Sequence, residues 1–358
     1  MQLKLLRTID WTLVALPVLL VVAGVITIYS TTLGTSQTYL AGRQILFAVL
    51  GLILMFACTV FNYRALKSYA GIFYLLSIGL LFLVLMFGKK IFGATRWIDF
   101  GVFQLQPSEI LKISMTIFTA AFLSSGATGW LKRLIWLLAI FAVPIFLVLR
   151  QPDLGTAIVI SFVFLGLFFI WPIHKKIKII AVIVMIAIIP LGWFLMRDYQ
   201  HQRIRTFIDP GSDPYGSGYN VIQSIIAVGS GGIWGRGLGN GPQSQLNFLP
   251  VSHTDFIFAG WAEATGLIGS VALIITMIIL NWRIYNVAKI AQDDFGRYLA
   301  VGFGVIFTVQ TVINIGMNLG IAPVTGIPLP YVSAGGTALM TNFISLGILQ
   351  SIYVRNKK

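Results

Sequence analysis

The stretch FLPVSHTDFIFAGWAEATGLIG, residues 248–269, changes character halfway along. Its first part is polar, is broken by Pro250, and ends at His253-Thr254-Asp255. An apolar run then begins that carries one further acid, Glu263. A bilayer crossing needs roughly 20 such residues. A carboxylate on the lip of that run, Asp255, is expensive at hydrocarbon depth and is a functional candidate by default. The competing reading is a helix start, where Asp satisfies free N–H groups and the helix dipole. The rest of the chain decides between them.

Outward from that stretch, composition sets the class. Of the 358 residues 57% are hydrophobic and 10% charged, against roughly 25% charged in soluble domains. Mean hydropathy is +0.89. The single cysteine, Cys58, sits inside an apolar run, so neither a disulfide framework nor a thiolate metal site is expected. The start MQLKLLRTIDWTLVALPVLLVVAG has a basic lead and a spanning run without a small-residue cleavage site, and reads as an uncleaved first helix.

Spanning segments of roughly 20 residues number about ten, near 11–30, 44–61, 70–87, 108–124, 133–149, 155–171, 177–196, 256–281, 298–319 and 337–354. The expected fold is an all-α polytopic membrane protein, one integral membrane domain over residues 1–358. An even number of spans puts both termini on one side. That side collects Lys4, Arg7, Arg64, Lys67, Lys132, Arg133, Lys175, Lys176, Lys178, Arg283, Lys289, Arg297, Arg355, Lys357 and Lys358. The opposite short loops hold Arg43, Lys89, Lys90, Arg96 and Arg150. Basic loops stay in the cytoplasm, so both termini are expected there. An anionic inner leaflet accounts for the net charge of +14 without nucleic acid. Trp11, Trp130, Trp171 and Trp282 fall near span ends and read as an interfacial belt.

One large extracytoplasmic loop, 197–254, is expected between the seventh and eighth spans. It holds Arg197, Arg203, Arg205, Arg236, Asp198, Asp209 and Asp213, and loops of that length are usually functional or disordered. Within it GYNVIQSIIAVGSGG is apolar but too short to span, which suggests a helix lying on or dipping into the outer face. The glycines of GSGGIWGRGLGNG, residues 229–241, suggest tight turns and close backbone approach. A nucleotide loop would need Gly-Lys-Ser/Thr and a preceding strand, and both are missing from the sequence.

Other polar residues sit at membrane depth or its edge. In QLQPSEILKIS, Pro107 and Ser108 suit a helix start, and Glu109 and Lys112 share a face three residues apart. They read equally as a structural ion pair or as part of a site. In LRQPDLGTA, Arg150 and Asp153 flank Pro152, where a plain turn is the simpler reading. GIPLPYVSAGG breaks the chain before the last span, as a cavity-lining or re-entrant segment would. His253 has no His or Cys companion at ligand spacing. An outer carboxylate, arginines suited to phosphate oxygens and a large apolar body together fit a lipid-linked phosphorylated substrate, for an enzyme or a transporter.

At this point the residues resemble a family. GATRWIDFGVFQLQPSEILKI, RQPDLGTA, DPYGSGYNVIQS, AVGSGG, LPVSHTDFIFAGWAE and GIPLPYVSAGG are similar, in order, to segments of the SEDS (shape, elongation, division and sporulation) proteins, bacterial peptidoglycan glycosyltransferases. DYQHQRIRTF and GPQSQLNFLP look more like the rod-elongation branch, RodA, than the division branch, FtsW. The resemblance implies a multi-pass protein of the bacterial cytoplasmic membrane that polymerises lipid II outside the cytoplasm and releases a polyprenyl diphosphate. It implies Asp255 as catalytic carboxylate. It also implies Glu109, Lys112 and Asp153 around a central cavity, with Arg96 and Ser333 in matching motifs. Arg203 and Arg205 are expected to hold the diphosphate. A divalent cation, Mg or Mn, and a class B penicillin-binding protein are the implied cofactor and partner. Ala264 and Ala334 stand where the family commonly has Glu and Tyr. A lipid II flippase and a non-catalytic scaffold for the transpeptidase remain as other readings.

Overall fold

A computed structural model describes residues 8–356, except 92–93, 102–103, 127–128, 197, 214–215, 247 and 250. Lys4, Arg7, Arg197, Lys357 and Lys358 of the charge reading therefore lie outside the described residues. Each expected span is a helix: α1 Thr12–Thr32, α2 Tyr39–Val60, α3 Leu66–Phe87, α4 Pro107–Leu123, α5 Trp130–Arg150, α6 Leu154–Ile170 and α7 Lys175–Leu195. Three more helices, α8 Asp198–Ile208, α9 Ser217–Ser230 and the short α10 Pro242–Gln245, lie in the long loop. The last spans are α11 Ile257–Ile290, α12 Asp294–Asn318 and α13 Gly336–Asn356.

Among the described residues, seven helices are long and apolar enough to cross a membrane: α1, α2, α3, α5, α11, α12 and α13. The helices α4 and α6 have 17 residues each. This is a polytopic all-α membrane protein. α11 runs nine residues past the expected end at 281, because Trp282–Ile290 continues as helix beyond bilayer depth. A small antiparallel meander, β1 Lys89–Ile91, β2 Ala94–Asp99 and β3 Gln104–Leu105, joins α3 to α4. β1 and β3, of three and two residues, fall below the length at which alternation shows in sequence.

In lipid, apolar side chains gain little by leaving one another for acyl chains, so close packing and interhelical hydrogen bonds hold the bundle. Tyr74 of α3 donates to Ile140 O of α5 at 2.7 Å, and Ser114 of α4 donates to Ser77 of α3 at 2.7 Å. Such bonds contribute about 0.6 kcal/mol on average. α12 and α13 are the most enclosed of the seven spans. The termini meet at one end: Asp10 N donates to Gln350 Oε1 at 3.1 Å, and Asp10 also pairs with Arg283. Trp11, Trp130 and Trp282 are exposed, as a belt requires, but Trp171 is 3% exposed. It packs in the core, because apolar side chains that Trp171 meets on folding override its place at a span end.

The long loop is largely helical. α9 carries the expected short apolar helix and turns Val221, Ser224 and Ala227 inward, three residues apart. Ser224 donates to Asn318 O at the end of α12 at 2.9 Å, so α9 is packed onto the site end of the bundle.

Candidate active site

Asp255 lies in a turn, 251–256, that delivers the chain into α11. Val251 opens the turn at φ 54, a strained region for a β-branched residue. The turn is gripped from α12. Asn314 Nδ2 and Asn318 Nδ2 both donate to Asp255 O at 3.0 Å. Asn318 Oδ1 accepts the N–H of Ala259 at 3.0 Å, so it also caps the first turn of α11, whose N–H groups have no partner of their own. Asn314 further donates to Ile327 O at 2.8 Å. Both asparagines are 0% exposed. The sequence reading did not select them. Their signal is two carboxamides four residues apart inside an apolar span.

From the other side the chain before α13 holds the same turn. Ser333 Oγ donates to Thr254 O at 2.7 Å and accepts Leu329 N at 2.8 Å. Ala334 N donates to His253 O at 2.9 Å, and Gln44 Nε2 to Ser333 O at 3.1 Å. Ser333, expected at the substrate, thus has its hydroxyl proton engaged in fixing the turn. Tyr331, buried at φ 65, adds a second strained residue beside the site.

Two arginines and a second aspartate complete the cluster. Asp153 is buried, caps α6 through Thr156 N at 3.1 Å and Thr156 Oγ1 at 2.8 Å, and lies 3.6 Å from Arg96 Nη1. The plain-turn reading is therefore too small: β2 brings Arg96 across to this turn, where it also donates to Gln151 O at 3.3 Å and to Pro152 O. Arg150 instead lies over the Phe146 ring at 4.8 Å. Arg203 of α8 donates to Val324 O at 2.9 Å. Burial pulls its pKa below the ordinary value, and Arg96 adds to this, while Tyr199, Asp153 and Asp255 oppose it. The strip 324–327 runs through the middle. A Cβ on Gly326 would stand 3.5 Å from Asp255 Oδ2, and one on Gly155 would press within 2.8 Å of Thr325 O. The strip thus locks α6, α8 and the Asp255 turn together.

Burial raises the pKa of Asp255 above the usual carboxylate value. Arg96, Arg203 and a hydrogen bond from Thr254 oppose the rise, and the charge of Asp153 adds to it. The result is a desolvated carboxylate with enhanced proton affinity, facing two guanidinium groups. Such a group is suited to accept a proton, and the arginines to hold a phosphate oxygen.

The other expected residues sit elsewhere. Glu109 and Lys112, 2% and 3% exposed, pair at 2.8 Å in the first turns of α4, and Thr341 of α13 donates to Glu109 Oε2 at 3.5 Å. Arg205 is exposed on α8. Glu263, 0% exposed, accepts Gln243 N at 2.9 Å, Ser244 N at 3.1 Å and Ser244 Oγ at 2.5 Å, and so serves the loop's architecture. Among the described residues no group of three or more His, Cys, Asp or Glu could hold a metal ion.

Comparison with known proteins shows the family. The family described as "Cell cycle protein", FTSW_RODA_SPOVE, matches residues 4–358. The chain is 42% identical over 317 residues to peptidoglycan glycosyltransferase MrdB of Escherichia coli (strain K12), covering 88% of this chain and 86% of that protein. Among solved structures it is similar to a chain of a peptidoglycan synthase complex, with TM-score 0.84, 31% identity and coverage of 98% and 99%. It is also similar to the rod shape determining protein RodA of Thermus thermophilus, with TM-score 0.73, 26% identity and coverage of 98% of each chain.

Proposed function

This chain belongs to the FTSW_RODA_SPOVE family, and from that premise we propose that it is a peptidoglycan glycosyltransferase of cell elongation that polymerises lipid II. The observation that carries the reading is a half-buried Asp255 whose partial desolvation raises its proton affinity, set among Arg96, Arg203 and Asp153. Asp255 takes the proton from the acceptor sugar's 4-hydroxyl as that oxygen bonds to the donor's anomeric carbon. The bond from that carbon to the diphosphate breaks, and its electrons leave with the polyprenyl diphosphate. Arg96 and Arg203 stabilise the charge that develops there. Asp153 is spent on capping α6 through Thr156 and on Arg96, which leaves Asp255 as the acting carboxylate and suits one displacement with inversion.

The proposed reaction lies on the extracytoplasmic face, with both termini in the cytoplasm. From its break at Gly266 to exposed Trp282, α11 rises roughly 24 Å at 1.5 Å per residue, and the segment 257–265 with the Asp255 turn lies beyond that break. The hydrocarbon core measures about 30 Å, which supports a position for Asp255 toward the headgroups on the face away from Trp282. The reactive end of a lipid-linked sugar lies at the same height. The donor set does not make a protein-built cation site, since the carboxylate of Asp153 is already engaged. A divalent cation would add to the charge stabilisation that Arg96 and Arg203 give the leaving diphosphate, and the chain's own residues carry every step. The proposed partner is a class B penicillin-binding protein.

Purified protein given labelled lipid II tests the reading by gel analysis of its products. Glycan ladders are expected. Transport of lipid II across vesicles without ladders would favour the flippase, and neither activity the scaffold.

A further inference from the structure

The run GSGGIWGRGLGNG, residues 229–241, has no part in the reaction above, yet its two sides differ sharply. Its backbone is consumed by the bundle. α11 breaks at Gly266, with φ 69 and ψ −162. The run fills that break: Leu267 N donates to Gly232 O at 2.9 Å, Arg236 N to Glu263 O at 2.9 Å and Gly237 N to Ala264 O at 3.0 Å. A Cβ at Gly235 would stand 2.2 Å from Ala264 O, which explains the glycine. Gly239 N reaches Ser30 Oγ of α1 at 2.8 Å.

The large side chains face the other way. Trp234 is 82% exposed, Ile233 59% and Leu238 54%. They are continuous with Leu267 and Ile268 on α11, also exposed, and through them with the exposed apolar stripe at Val271 and Ile275. Their depth follows from the helix. From Gly266 to Trp282, α11 rises roughly 24 Å, against a hydrocarbon core of about 30 Å. The run therefore sits near the boundary between acyl chains and headgroups on the Asp255 side. Irregular backbone survives at that depth only when its polar groups are satisfied within the protein, and tryptophan is favoured there.

We propose that residues 233–238 form an interfacial anchor seated in the leaflet on the Asp255 face, with phospholipid as the partner of Trp234, Ile233 and Leu238. Arg236, whose Nε donates to Ser230 O at 2.7 Å, is the one charge of this segment and is suited to a headgroup phosphate. The anchor grips α11 at its break and so sets the height of the segment 257–265 that carries the Asp255 turn. The inference rests on the membrane fold and not on the glycosyltransferase reading.

The test uses full-length protein in a Cys58→Ser background, with Trp234→Cys, Leu238→Cys, Ile275→Cys and Ser212→Cys labelled singly by nitroxide. Each is reconstituted into phosphatidylcholine–phosphatidylglycerol vesicles, and collision with oxygen is compared with collision with water-soluble nickel chelate. The oxygen-to-nickel ratio at 234 and 238 is expected to exceed that at Ser212 several-fold and to approach that at exposed Ile275. A ratio equal to that at Ser212, or shielding from both reagents as under a protein partner, would overturn the anchor. Should the labelled chains fail to fold, quenching by shallow-brominated lipid is compared between the unsubstituted protein and Trp234→Phe. Loss of a strongly quenched component is expected, and identical quenching would overturn the proposal.

Discussion

Asn318 holds Asp255 by its peptide and not by its carboxylate: the carboxamide nitrogen donates to Asp255 O at 3.0 Å while the oxygen of the same group accepts Ala259 N. The carboxylate thus owes nothing to Asn318: Thr254 is its hydrogen-bond partner, on a backbone fixed from a neighbouring helix. Positioning and reactivity are divided between two residues.

Asn318→Asp is nearly isosteric, but it puts an acceptor where Asp255 O needs a donor. We expect kcat to fall at least tenfold, about 1.4 kcal/mol in the barrier, with KM for lipid II nearly unchanged. A buried unsatisfied group costs about 1–3 kcal/mol of stability, so a lower melting temperature in detergent should accompany it. Rescue of kcat by Asn318→Gln would show that the donor, and not the fold alone, matters. Equal kcat in all three proteins would remove the positioning role.

The pH dependence has a definite sign. Asp255 must be ionised to accept a proton, so kcat/KM rises with pH, with a midpoint above the ordinary carboxylate value because burial raises it. Arg203 lowers this pKa, so Arg203→Met should move the midpoint up as well as reduce the rate. For stability, a raised folded pKa favours the protonated form. That contribution is full below the unfolded pKa and is lost as pH rises through the folded one. Asp255→Asn should therefore melt with less dependence on pH across that window. A rate midpoint at or below the ordinary value would contradict the desolvated-base assignment.

Arg203 and Arg205, assigned together on sequence, separate in the structure. Arg203 is anchored to Val324 and feels Asp153 and Asp255, whereas Arg205 is exposed. Replacing Arg203 by Lys loses the planar fork, and polymerisation should drop about tenfold or more. Arg205→Lys should cost less than threefold. The check is turnover beside lipid II affinity in both variants, and equal losses would return Arg205 to the site.

Glu109 and Lys112 form a buried pair, and removing one partner leaves an unpaired charge, at about 3–5 kcal/mol. The double variant Glu109→Gln/Lys112→Met should recover much of that stability. We expect it to remain inactive, because the pair lies in a segment resembling the family's cavity lining. Thermal melts beside polymerase assays on both singles and the double decide the matter. A stable, active double variant would make the pair scaffolding.

The bundle was legible because a spanning helix is written in about 20 consecutive residues. Asp255 was legible because a carboxylate on such a run is rare. What stayed hidden is pairwise and distant. Arg96 meets Asp153 across 57 positions only because a short meander turns back, while Arg150, near Asp153 in sequence, lies over the Phe146 ring. Asn314 and Asn318 look like ordinary polar interruptions of α12 until the Asp255 turn is placed against them. Glu263 was visible only as one further acid on the apolar run after Asp255, and nothing local told that its oxygens are spent on the N–H groups of 243 and 244. The glycines of 229–241 were read correctly as close approach, but nothing local told that the approach was to a break in α11.

The account stands most directly on one measurement: glycan chain formation from labelled lipid II by purified Asp255→Asn, beside its melting temperature in detergent. The amide keeps the size of the carboxylate and leaves the backbone contacts to Asn314 and Asn318 in place, but it cannot take the acceptor's proton. The account predicts a folded protein that still binds lipid II and makes no polymer. Long glycan strands from well-folded Asp255→Asn would contradict it.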